Sequence, residues 1–510
     1  MLAQLNSAAL LGLSVHLVKI EVDAASGLPS WEIVGLPDTA VKESKERVRT
    51  AIKNAGYEFP PRRVVVNLAP AYIRKEGPSF DLAIAIAILQ VTEQIQCDHL
   101  ERYLFLGELG LDGSLRPVKG VLPISLEYSK NDFDMVVPKD NQEECAIGGI
   151  RTYGFSHLKE VVDFLEQPEA YTPVKVTLPD FTGLPAAQTM HDFSEVKGQS
   201  EAKRALEIAA AGNHNILLVG SPGSGKTMLS QALPGILPPL TFEESLSLSK
   251  IYSIAGLLPP NQPLVQERPF RSPHHSASAA SIIGGGRIPH PGEVSLSHHG
   301  VLFLDEFPEY QREVLESLRQ PLEDGVVTVS RVQAQITFPC RFLLAASMNP
   351  CPCGYYNDPV RQCTCSDAQL HRYRNKISGP LLDRFDIQLE VVPVSFQDLH
   401  QETEEESSAV IRNRVIAARK IQQERFVGSS TIHNGAMTAQ EIQQYCQLDA
   451  KSRNFLEQAF ERLGLSARAH SRILKVARTI ADLAGSEQIQ LSHLAEAIQY
   501  RTLDRKLWKQ

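Results

Sequence analysis

The sequence predicts an α/β fold, and three apolar segments are the basis of that prediction. Residues 216–219 and 301–304 are continuous apolar runs, and residues 342–348 are apolar except for Ser347; each has the length of a buried strand. The first run leads directly into a glycine-rich loop, and the other two end in polar side chains. Apolar residues also recur at helical spacing at 410–421. We therefore expect an α/β core in the middle of the chain, followed by a helix-rich part.

The glycine-rich loop after the first apolar run matches the pattern G-x-x-x-x-G-K-[ST] in full. Its glycines let backbone N–H groups curl round phosphates, its lysine reaches the β- and γ-phosphates, and its hydroxyl binds Mg²⁺. The alternative is a glycine-rich turn without a nucleotide, which the full match between strand and helix disfavours. The sequence therefore predicts binding of a nucleoside triphosphate and Mg²⁺ by the loop residues Gly220, Ser221, Pro222, Gly223, Ser224, Gly225, Lys226 and Thr227.

Acidic and amide side chains end the other two apolar runs. Asp305 and Glu306 follow residues 301–304, and Asn349 follows residues 342–348. We expect Asp305 to hold Mg²⁺ and Glu306 to polarise the attacking water. Asn349 is expected to orient that water. Acidic pairs are common at strand ends and asparagine often forms turns, so these roles depend on the phosphate-binding loop upstream.

Two arginines are candidates for cations that act on the bound triphosphate. Arg384 is predicted to neutralise charge developing on the γ-phosphate at a neighbouring subunit, a role worth about 10³–10⁵ in rate. The alternative for this residue is a surface ion pair with Asp383. Arg468 lies at the start of an amphipathic helix and is predicted to reach back over the phosphates, with Arg472 as its rival.

Four of the eight cysteines cluster within 351–365. They form two C-x-C pairs separated by nine residues, and four thiolates within tetrahedral reach make a closed structural Zn²⁺ site. The spacing within each pair is tighter than usual, so reduced thiols in a loop are the alternative. The predicted zinc ligands are Cys351, Cys353, Cys363 and Cys365. The histidine pairs at 274–275 and 298–299 are interpreted as hydrogen-bonding groups, because no further ligand is spaced to complete a metal site.

Length, charge and hydropathy limit the class of protein. A chain of 510 residues suggests about three domains. The predicted divisions are an N-terminal domain at 1–166, a linker at 167–190, a core at 191–395 and a helical lid at 396–510. A net charge of −8 leaves any nucleic-acid contact to local patches. The apolar runs are too short to span a bilayer, which predicts no membrane contact and a cytoplasmic location.

Five further motifs give the chain a family resemblance that covers nearly all of its length. They are Val-Gly-Leu-Pro-Asp at 34–38, Val-Lys-Gly-Gln at 196–199, Phe-Arg-Ser-Pro-His-His at 270–275, Pro-Gly-Glu-Val-Ser-Leu at 291–296 and Ala-Arg-Thr-Ile-Ala-Asp-Leu at 477–483. With them the chain resembles the magnesium-chelatase-like AAA+ ATPases, and more closely the ComM/YifB family. The resemblance implies an AAA+ P-loop ATPase core with a helical lid.

The resemblance also assigns roles within the core. It implies a Walker A motif at 220–227, a Walker B motif at Asp305 and Glu306, sensor 1 at Asn349, an arginine finger at Arg384 and sensor 2 at Arg468. It implies a hexameric ring with ATP sites between subunits. In ComM-like proteins this ring is a DNA motor that drives branch migration during recombination in natural transformation, so single-stranded and branched DNA are the expected partners.

A predicted hairpin at 326–338 is the candidate DNA contact. This segment alternates like two strands about a tight turn. In related minichromosome-maintenance helicases a hairpin at this point projects into the ring channel. We therefore expect Ser330, Arg331 and Gln333 to reach DNA phosphates through salt-sensitive, sequence-independent contacts. An ordinary extension of the sheet is the alternative.

The N-terminal part resembles the α+β proteolytic domain of Lon, a ribosomal protein S5 domain 2-like fold. The segment Lys-Glu-Gly-Pro-Ser at 75–79 places Ser79 at the Lon nucleophile. Lon pairs this serine with a lysine, but that position here is Leu122, and Lys119 lies three residues early. A serine hydroxyl without a base is a poor nucleophile. We therefore predict a scaffold for ring assembly or DNA contact, and no peptidase activity.

Three other activities compete with a DNA motor. A chelatase motor for tetrapyrroles is disfavoured by the Lon-like domain, which the chelatase ATPase subunit lacks. An ATP-dependent protease is disfavoured by the missing lysine. A protein-assembly ATPase without motor activity on DNA remains as the alternative.

Overall fold

A computed structural model describes residues 2–97, 99–179, 181, 190–259, 262–286, 289–331, 334–356, 358, 361–394 and 405–503. We call the part up to 179 the N-terminal region, the part at 190–394 the core, and the part at 405–503 the C-terminal region. Residues 180 and 182–189 of the predicted linker, and residues 395–404 around the predicted core–lid boundary, lie outside the described residues.

The N-terminal region is built on a seven-stranded mixed sheet. In spatial order its strands are β3, β4, β2, β1, β5, β8 and β9. The strands are β1 (Leu2–Leu11), β2 (Ser14–Ala25), β3 (Ser30–Val34), β4 (Arg63–Ala69), β5 (Tyr103–Phe105), β8 (Asp134–Pro138) and β9 (Arg151–Phe155), with β6 (Glu108–Leu109) and β7 (Leu115–Arg116) forming a separate pair. β1 pairs with β2 antiparallel, from Leu2 opposite Asp23 to Leu11 opposite Ser14.

Five α-helices pack with this sheet: Thr39–Asn54, Asp81–Val91, Val121–Tyr128, Gln142–Ile147 and Leu158–Glu166. The Asp81–Val91 helix is apolar on all sides and nearly every residue of it is buried, so it forms the centre of the N-terminal core. The predicted linker begins as an extension of this region, because Tyr171 packs edge-on against Phe164 and the N–H of Val174 donates to the Thr152 carbonyl.

The core contains a five-stranded parallel sheet with the order β11, β14, β17, β10 and β18. Its strands are β10 (Ile216–Val219), β11 (Phe270–Arg271), β14 (Val301–Leu304), β17 (Leu343–Met348) and β18 (Ile387–Glu390). β10, β14 and β17 are buried at every residue, which explains their continuous apolar sequences. Two hairpins complete the strands, β12 (Gly284–Gly285) with β13 (His290–Pro291), and β15 (Val326–Arg331) with β16 (Ala334–Pro339).

Helices surround the core sheet and make up the C-terminal region. The core helices are Ser200–Gly212, Lys226–Ala232, Phe242–Ala255, Ala279–Ile283, Glu293–Leu296, Arg312–Ser317, Arg319–Asp324, Asp367–Arg374 and Gly379–Leu382. The C-terminal helices are Ser408–Arg425, Ala439–Tyr445, Ala450–Leu463, Ala467–Leu483 and Leu491–Gln499. The helix Ala467–Leu483 packs on Ser200–Gly212, and a buried ion pair of Arg425 with Asp482 joins it to Ser408–Arg425.

The N-terminal region docks on the core through the helix Phe242–Ala255. The hydroxyl of Ser253 donates to the Glu144 carboxylate at 2.5 Å, and the N–H of Gly120 donates to the Ser253 carbonyl at 3.1 Å. Burial raises the pKa of Glu144 above its ordinary value. The turn after β1 also approaches the β15–β16 hairpin, since a Cβ at Gly12 would lie 2.2 Å from Cγ2 of Ile336. The N-terminal region therefore contacts two elements of the core.

Candidate nucleotide-binding site

The phosphate-binding loop connects β10 to the helix Lys226–Ala232. Gly223 and Gly225 have φ of +79° and +88°, a conformation that favours glycine. The Lys226 residue is 8% exposed, and its amine donates to the carbonyls of Gly220 at 2.8 Å and Ser221 at 2.9 Å. It also donates to Oδ1 of Asn349 at 3.3 Å. Burial lowers the pKa of this amine. The geometry thus places a cation at the mouth of a loop shaped for phosphates.

The predicted Mg²⁺ residues lie together at the same edge of the sheet. The hydroxyl of Thr227 donates to Oδ2 of Asp305 at 3.0 Å. Oδ1 of Asp305 accepts from the Ser347 hydroxyl and from the Glu306 N–H, the latter at 3.0 Å. Because parallel strands end at one edge, β10, β14 and β17 bring the loop, the carboxylates and Asn349 together there. A hydroxyl and a carboxylate in contact suit Mg²⁺, which prefers oxygen ligands.

Glu306 has a backbone conformation that sequence alone did not reveal. Its φ of +51° places it in the left-handed region, which costs a non-glycine residue about 1–2 kcal/mol. Strain of this kind is concentrated at functional sites, where the surroundings hold the residue in place. The Glu306 carboxylate is 57% exposed and lies 3.3 Å from Nδ1 of His275. The other histidine pair is buried and bonded, with the N–H of Arg341 donating to Nδ1 of His298 at 3.0 Å.

The two candidate arginines lie at the opposite edge of the core sheet. Arg384 is 8% exposed, and its guanidinium donates to Glu323 rather than pairing with Asp383. Burial and the neighbouring arginines 472, 468 and 319 lower its pKa. Arg468 is 62% exposed and lies 3.7 Å from Asp383. Arg468 therefore lies beside Arg384, where the strands β10 and β18 begin. The phosphate-binding loop of the same chain lies at the other end of β10, where that strand ends.

Arg472 belongs to the same arginine group. Its guanidinium donates to Oδ1 of Asp386 at 2.5 Å, and Oδ2 of Asp386 lies 3.2 Å from Nδ1 of the buried His214. Arg384, Arg468 and Arg472 line one cavity of about 790 Å³, together with Arg341 and Lys475. Glu323, Asp324 and Asp386 also line this cavity, so its positive charge exceeds its negative charge only modestly and most of the arginines are already near a carboxylate.

The four predicted zinc ligands form one cluster, and it is the only group of three or more metal-ligating side chains found in the described part of the chain. Their sulfur atoms all lie within 4.8 Å of one another. The Sγ of Cys351 is 3.3 Å from that of Cys353 and 3.7 Å from that of Cys363. A tetrahedral Zn²⁺ with Zn–S bonds of about 2.3 Å places its sulfurs about 3.8 Å apart. The cluster therefore has the size of a four-thiolate metal site.

The predicted hairpin at 326–338 is confirmed as an antiparallel pair, from Val326 opposite Pro339 to Arg331 opposite Ala334. Of the proposed DNA-contacting residues, Gln333 and the side chains of Ser330 and Arg331 lie outside the described residues. Their contact with DNA stays a prediction.

Two lysines of the N-terminal region that bear on the prediction for Ser79, at positions 75 and 119, both contact other groups. The amine of the buried Lys75 donates to the Pro70 carbonyl. Lys119 lies against the core, where a Cβ at Gly256 would lie 2.5 Å from its Cε. Leu122 is buried.

Three family models match the chain along most of its length. The model "Magnesium chelatase, subunit ChlI" matches residues 192–399, "Subunit ChlI of Mg-chelatase" matches 20–141, and "Magnesium chelatase, subunit ChlI C-terminal" matches 405–501. Protein YifB of Escherichia coli K12 is 45% identical over 509 residues, 99% of this chain and 98% of the relative. Competence protein ComM of Haemophilus influenzae is 45% identical over 515 residues, 100% of this chain and 99% of the relative. The chain belongs to the ComM/YifB family.

Membership of the ComM/YifB family establishes the fold class predicted from the sequence. The core is a magnesium-chelatase-like AAA+ ATPase core with a helical C-terminal region. Lon protease 2 of Bacillus subtilis is 25% identical over 170 residues, 31% of this chain and 30% of that protein, which supports the Lon-like part of the prediction. The family implies ATPase activity with ATP and Mg²⁺. Among the described residues, every helix is too short or too polar to cross a membrane.

Several residues at the ATPase site make contacts that were not predicted from the sequence. Ser347 bonds Asp305, and His275 lies beside Glu306. The side-chain amide of Gln199 donates to the carbonyl of Ser224 in the loop at 3.2 Å. Gln199 and His275 belong to family motifs, so position in those motifs was an available clue. Nothing in the sequence pointed to Glu323, the partner of Arg384.

Proposed function

We propose that this protein is an ATP-driven, ring-forming DNA helicase or translocase that promotes branch migration in homologous recombination during natural transformation. The main support is the position of Arg384 and Arg468 at the edge of the sheet opposite the phosphate-binding loop. Arginines at that edge act on ATP when a second copy of the chain stacks against the loop edge of the first. Repetition of that contact closes a ring, which we propose to be a hexamer.

Within one ATP site, residues of two subunits divide the chemistry. The loop N–H groups and Lys226 bind the β- and γ-phosphates, and Thr227 and Asp305 are the ligands for Mg²⁺. A bound Mg²⁺ neutralises phosphate charge. Glu306 polarises the attacking water and Asn349 orients it. Arg384 of the neighbour moves from Glu323 to the γ-phosphate, and Arg468 of the same neighbour follows the nucleotide state through the helix Ala467–Leu483.

The β15–β16 hairpin is the proposed contact with single-stranded and branched DNA. Ser330, Arg331 and Gln333 are proposed to bind phosphates, which makes binding independent of sequence and sensitive to salt. The hairpin ends four residues before β17, the strand that leads to Asn349. This short connection gives ATP hydrolysis a route to move the hairpin.

Zn²⁺ is proposed as a structural ion of the core, bound by Cys351, Cys353, Cys363 and Cys365. The sulfur spacing supports it, and four thiolates with no open position suit a structural site and not a catalytic one.

The predicted divisions are kept as proposals: a non-proteolytic Lon-like domain at 1–166, a linker at 167–190, the ATPase core at 191–395 and the lid at 396–510. The Lon-like domain is proposed to support ring assembly, since it contacts both the helix Phe242–Ala255 and Ile336 in the second strand of the hairpin. The protein is proposed to act in the cytoplasm, where recombination takes place.

A strand-exchange assay tests the motor. The protein is incubated with ATP, Mg²⁺ and a labelled three-way or four-way DNA junction, beside a Glu306→Gln variant that keeps the loop and the Mg²⁺ ligands. We expect the wild type to resolve the junction into exchanged products, and the variant to bind ATP without exchanging strands. Intact junctions with the wild type, together with an ATPase rate that DNA does not change, would instead favour a chelatase-type or protein-assembly ATPase.

A further inference from the structure

A turn of the four-cysteine segment lies directly against the phosphate-binding loop. Gly354 is buried, its φ is +88°, and its N–H donates to the Cys351 carbonyl at 3.0 Å. A Cβ at this position would lie 2.6 Å from Cδ and 2.7 Å from Cγ of Pro222. Real Cβ atoms do not approach other atoms at such short distances, so only glycine fits this turn beside the loop.

The same segment contacts the loop at a second point. Asn349 lies two residues before Cys351, and its Oδ1 accepts a hydrogen bond from the Lys226 amine. A Cβ at Gly354 would also lie 4.0 Å from Cγ of Asn349, so the turn packs against this side chain as well. Residues 349–354 therefore touch the loop at Pro222 and at Lys226, on either side of its glycines.

A buried cation packs on Tyr356, the residue whose backbone bonds Cys351, and this arrangement favours negative charge at the cysteines. Arg374 is 8% exposed and lies over the ring of Tyr356, at 4.7 Å, and the Tyr356 N–H donates to the thiol of Cys351. Nε and Nη2 of Arg374 have no hydrogen-bond partner among the described residues. A buried guanidinium without an anion is costly. Four neutral thiols offer it no counter-charge, whereas four thiolates around Zn²⁺ are a dianion.

We propose that Zn²⁺ in the four-cysteine segment fixes the shape of the phosphate-binding loop, so that the affinity for ATP depends on bound zinc. The metal ties Cys351 and Cys353 to Cys363 and Cys365, and this holds the intervening Gly354 turn against Pro222. When the loop is already held in its phosphate-binding shape, ordering it on ATP binding costs less free energy. The inference rests on the zinc site of the proposed function and does not depend on activity with DNA.

The variant Gly354→Ala separates zinc binding from its effect on the loop. It keeps all four thiols and places a Cβ against Pro222. Zinc per chain is measured by mass spectrometry of the purified full-length protein, and affinity by titration with a fluorescent ATP analogue and Mg²⁺. We expect one zinc per chain and affinity about tenfold weaker than wild type. Gly428→Ala is the matched control, since Gly428 has φ of +83° and nothing within 4 Å of its Cβ position.

The double variant P222A/G354A tests whether the contact itself is responsible. Alanine at 222 lacks the Cγ and Cδ atoms that meet the new Cβ, so the double variant should bind ATP more tightly than Gly354→Ala alone. A Gly354→Ala protein that merely fails to fold would lose zinc and its cooperative unfolding transition, and P222A/G354A would not recover.

Removal of the metal from the wild type gives the second arm. We expect stripping with a chelator, followed by dialysis, to weaken binding of the ATP analogue at least as much as Gly354→Ala does, and added Zn²⁺ to restore it. The inference is wrong if zinc-free wild type, or zinc-bound Gly354→Ala, binds the analogue at full affinity. It is also wrong if protein purified with Zn²⁺ contains none. None of these experiments uses DNA, so their outcome does not depend on whether the protein is a DNA motor, and the strand-exchange assay tests that proposal independently.

Discussion

The two edges of the core sheet present opposite kinds of site. At the edge where the strands end, Lys226, Thr227, Asp305 and Asn349 are in contact with one another within one chain. At the edge where the strands begin, each arginine of the group faces a carboxylate of its own chain: Arg384 meets Glu323, Arg468 lies near Asp383 and Arg472 meets Asp386. The first edge is arranged as a nucleotide site, whereas the charges of the second edge are offset within the chain itself.

This difference separates what a single chain does from what an assembly does. The loop edge is built from strand ends and a turn, so we expect one chain to suffice for binding ATP and Mg²⁺. In the proposed assembly, the triphosphate bound by a second chain competes with these single carboxylates for the arginines, because it carries more negative charge. We therefore expect ATP hydrolysis to depend on the association of several chains more strongly than ATP binding does.

The largest expected effect comes from mixing two inactive variants. Lys226→Ala disables the loop edge and Arg384→Ala disables the arginine edge, and each is expected to lower the ATPase rate about 10³-fold or more. In mixed rings, a loop from the Arg384→Ala chain meets an arginine from the Lys226→Ala chain, and that interface is complete. We expect ATPase activity to reappear on mixing, measured as phosphate release.

A mixture of Lys226→Ala with the double variant K226A/R384A is the control, because none of its interfaces contains an intact loop. Absence of recovery in the first mixture, when both proteins co-assemble by size-exclusion chromatography, would show that Arg384 acts within its own chain. That result would remove the main support for two-chain ATP sites.

The two edges should also differ in their response to pH. Burial lowers the pKa of Lys226 from 10.5, and bound triphosphate favours its charged form. Above the lowered pKa, ATP binding must take up a proton, so affinity should fall by up to about tenfold per pH unit. The stability of the unliganded chain should change in the opposite direction, because the unfolded state holds that proton up to higher pH. Titrations of the ATP analogue between neutral and alkaline pH measure the slope.

Lys226→Arg is the control for this slope, since a guanidinium stays charged throughout the range. Its affinity at neutral pH is expected to be lower, but its decline with pH should be absent. An equal slope in wild type and Lys226→Arg would assign the pH dependence to another group.

The residues of the loop edge were easier to predict from the sequence than the contacts of the arginine edge, and the reason is geometric. Parallel strands bring their carboxyl ends together, so apolar runs followed by Lys226, Asp305 and Asn349 were sufficient to predict neighbours. The four-cysteine cluster was accessible for a similar reason, since its members are close in sequence. Glu323 lies far from Arg384 along the chain, and no local pattern predicts their contact. The left-handed conformation of Glu306 was equally hidden, because no glycine marks it.

Removal of the Ser347 hydroxyl should have a moderate effect confined to the loop edge. Ser347 donates to Asp305, and loss of a hydrogen bond that orients a metal ligand typically weakens metal affinity by about tenfold or more. We expect Ser347→Ala to raise the Mg²⁺ concentration for half-maximal ATPase about tenfold, with little change in the rate at saturating Mg²⁺. Ser297→Ala, which removes another buried hydroxyl, should leave the Mg²⁺ requirement unchanged. A lower rate at saturating Mg²⁺ with an unchanged requirement would place Ser347 in the chemical step.

The smallest effect on the ATPase rate is expected from Glu323→Gln, which directly tests the difference between the two edges of the core sheet. Glu323 is 54% exposed, so its ion pair with Arg384 is worth about 1 kcal/mol or less. Weakening it should free Arg384 for a neighbour's nucleotide and raise the ATPase rate about two- to fivefold at protein concentrations that limit assembly. Glu316→Gln is the matched control, because Glu316 lies on the preceding helix and pairs with Arg319. An ATPase rate as low as that of Arg384→Ala would mean that Glu323 positions the arginine for catalysis. The side chains of the arginine edge would then already be in their catalytic arrangement within one chain, as those of the loop edge are.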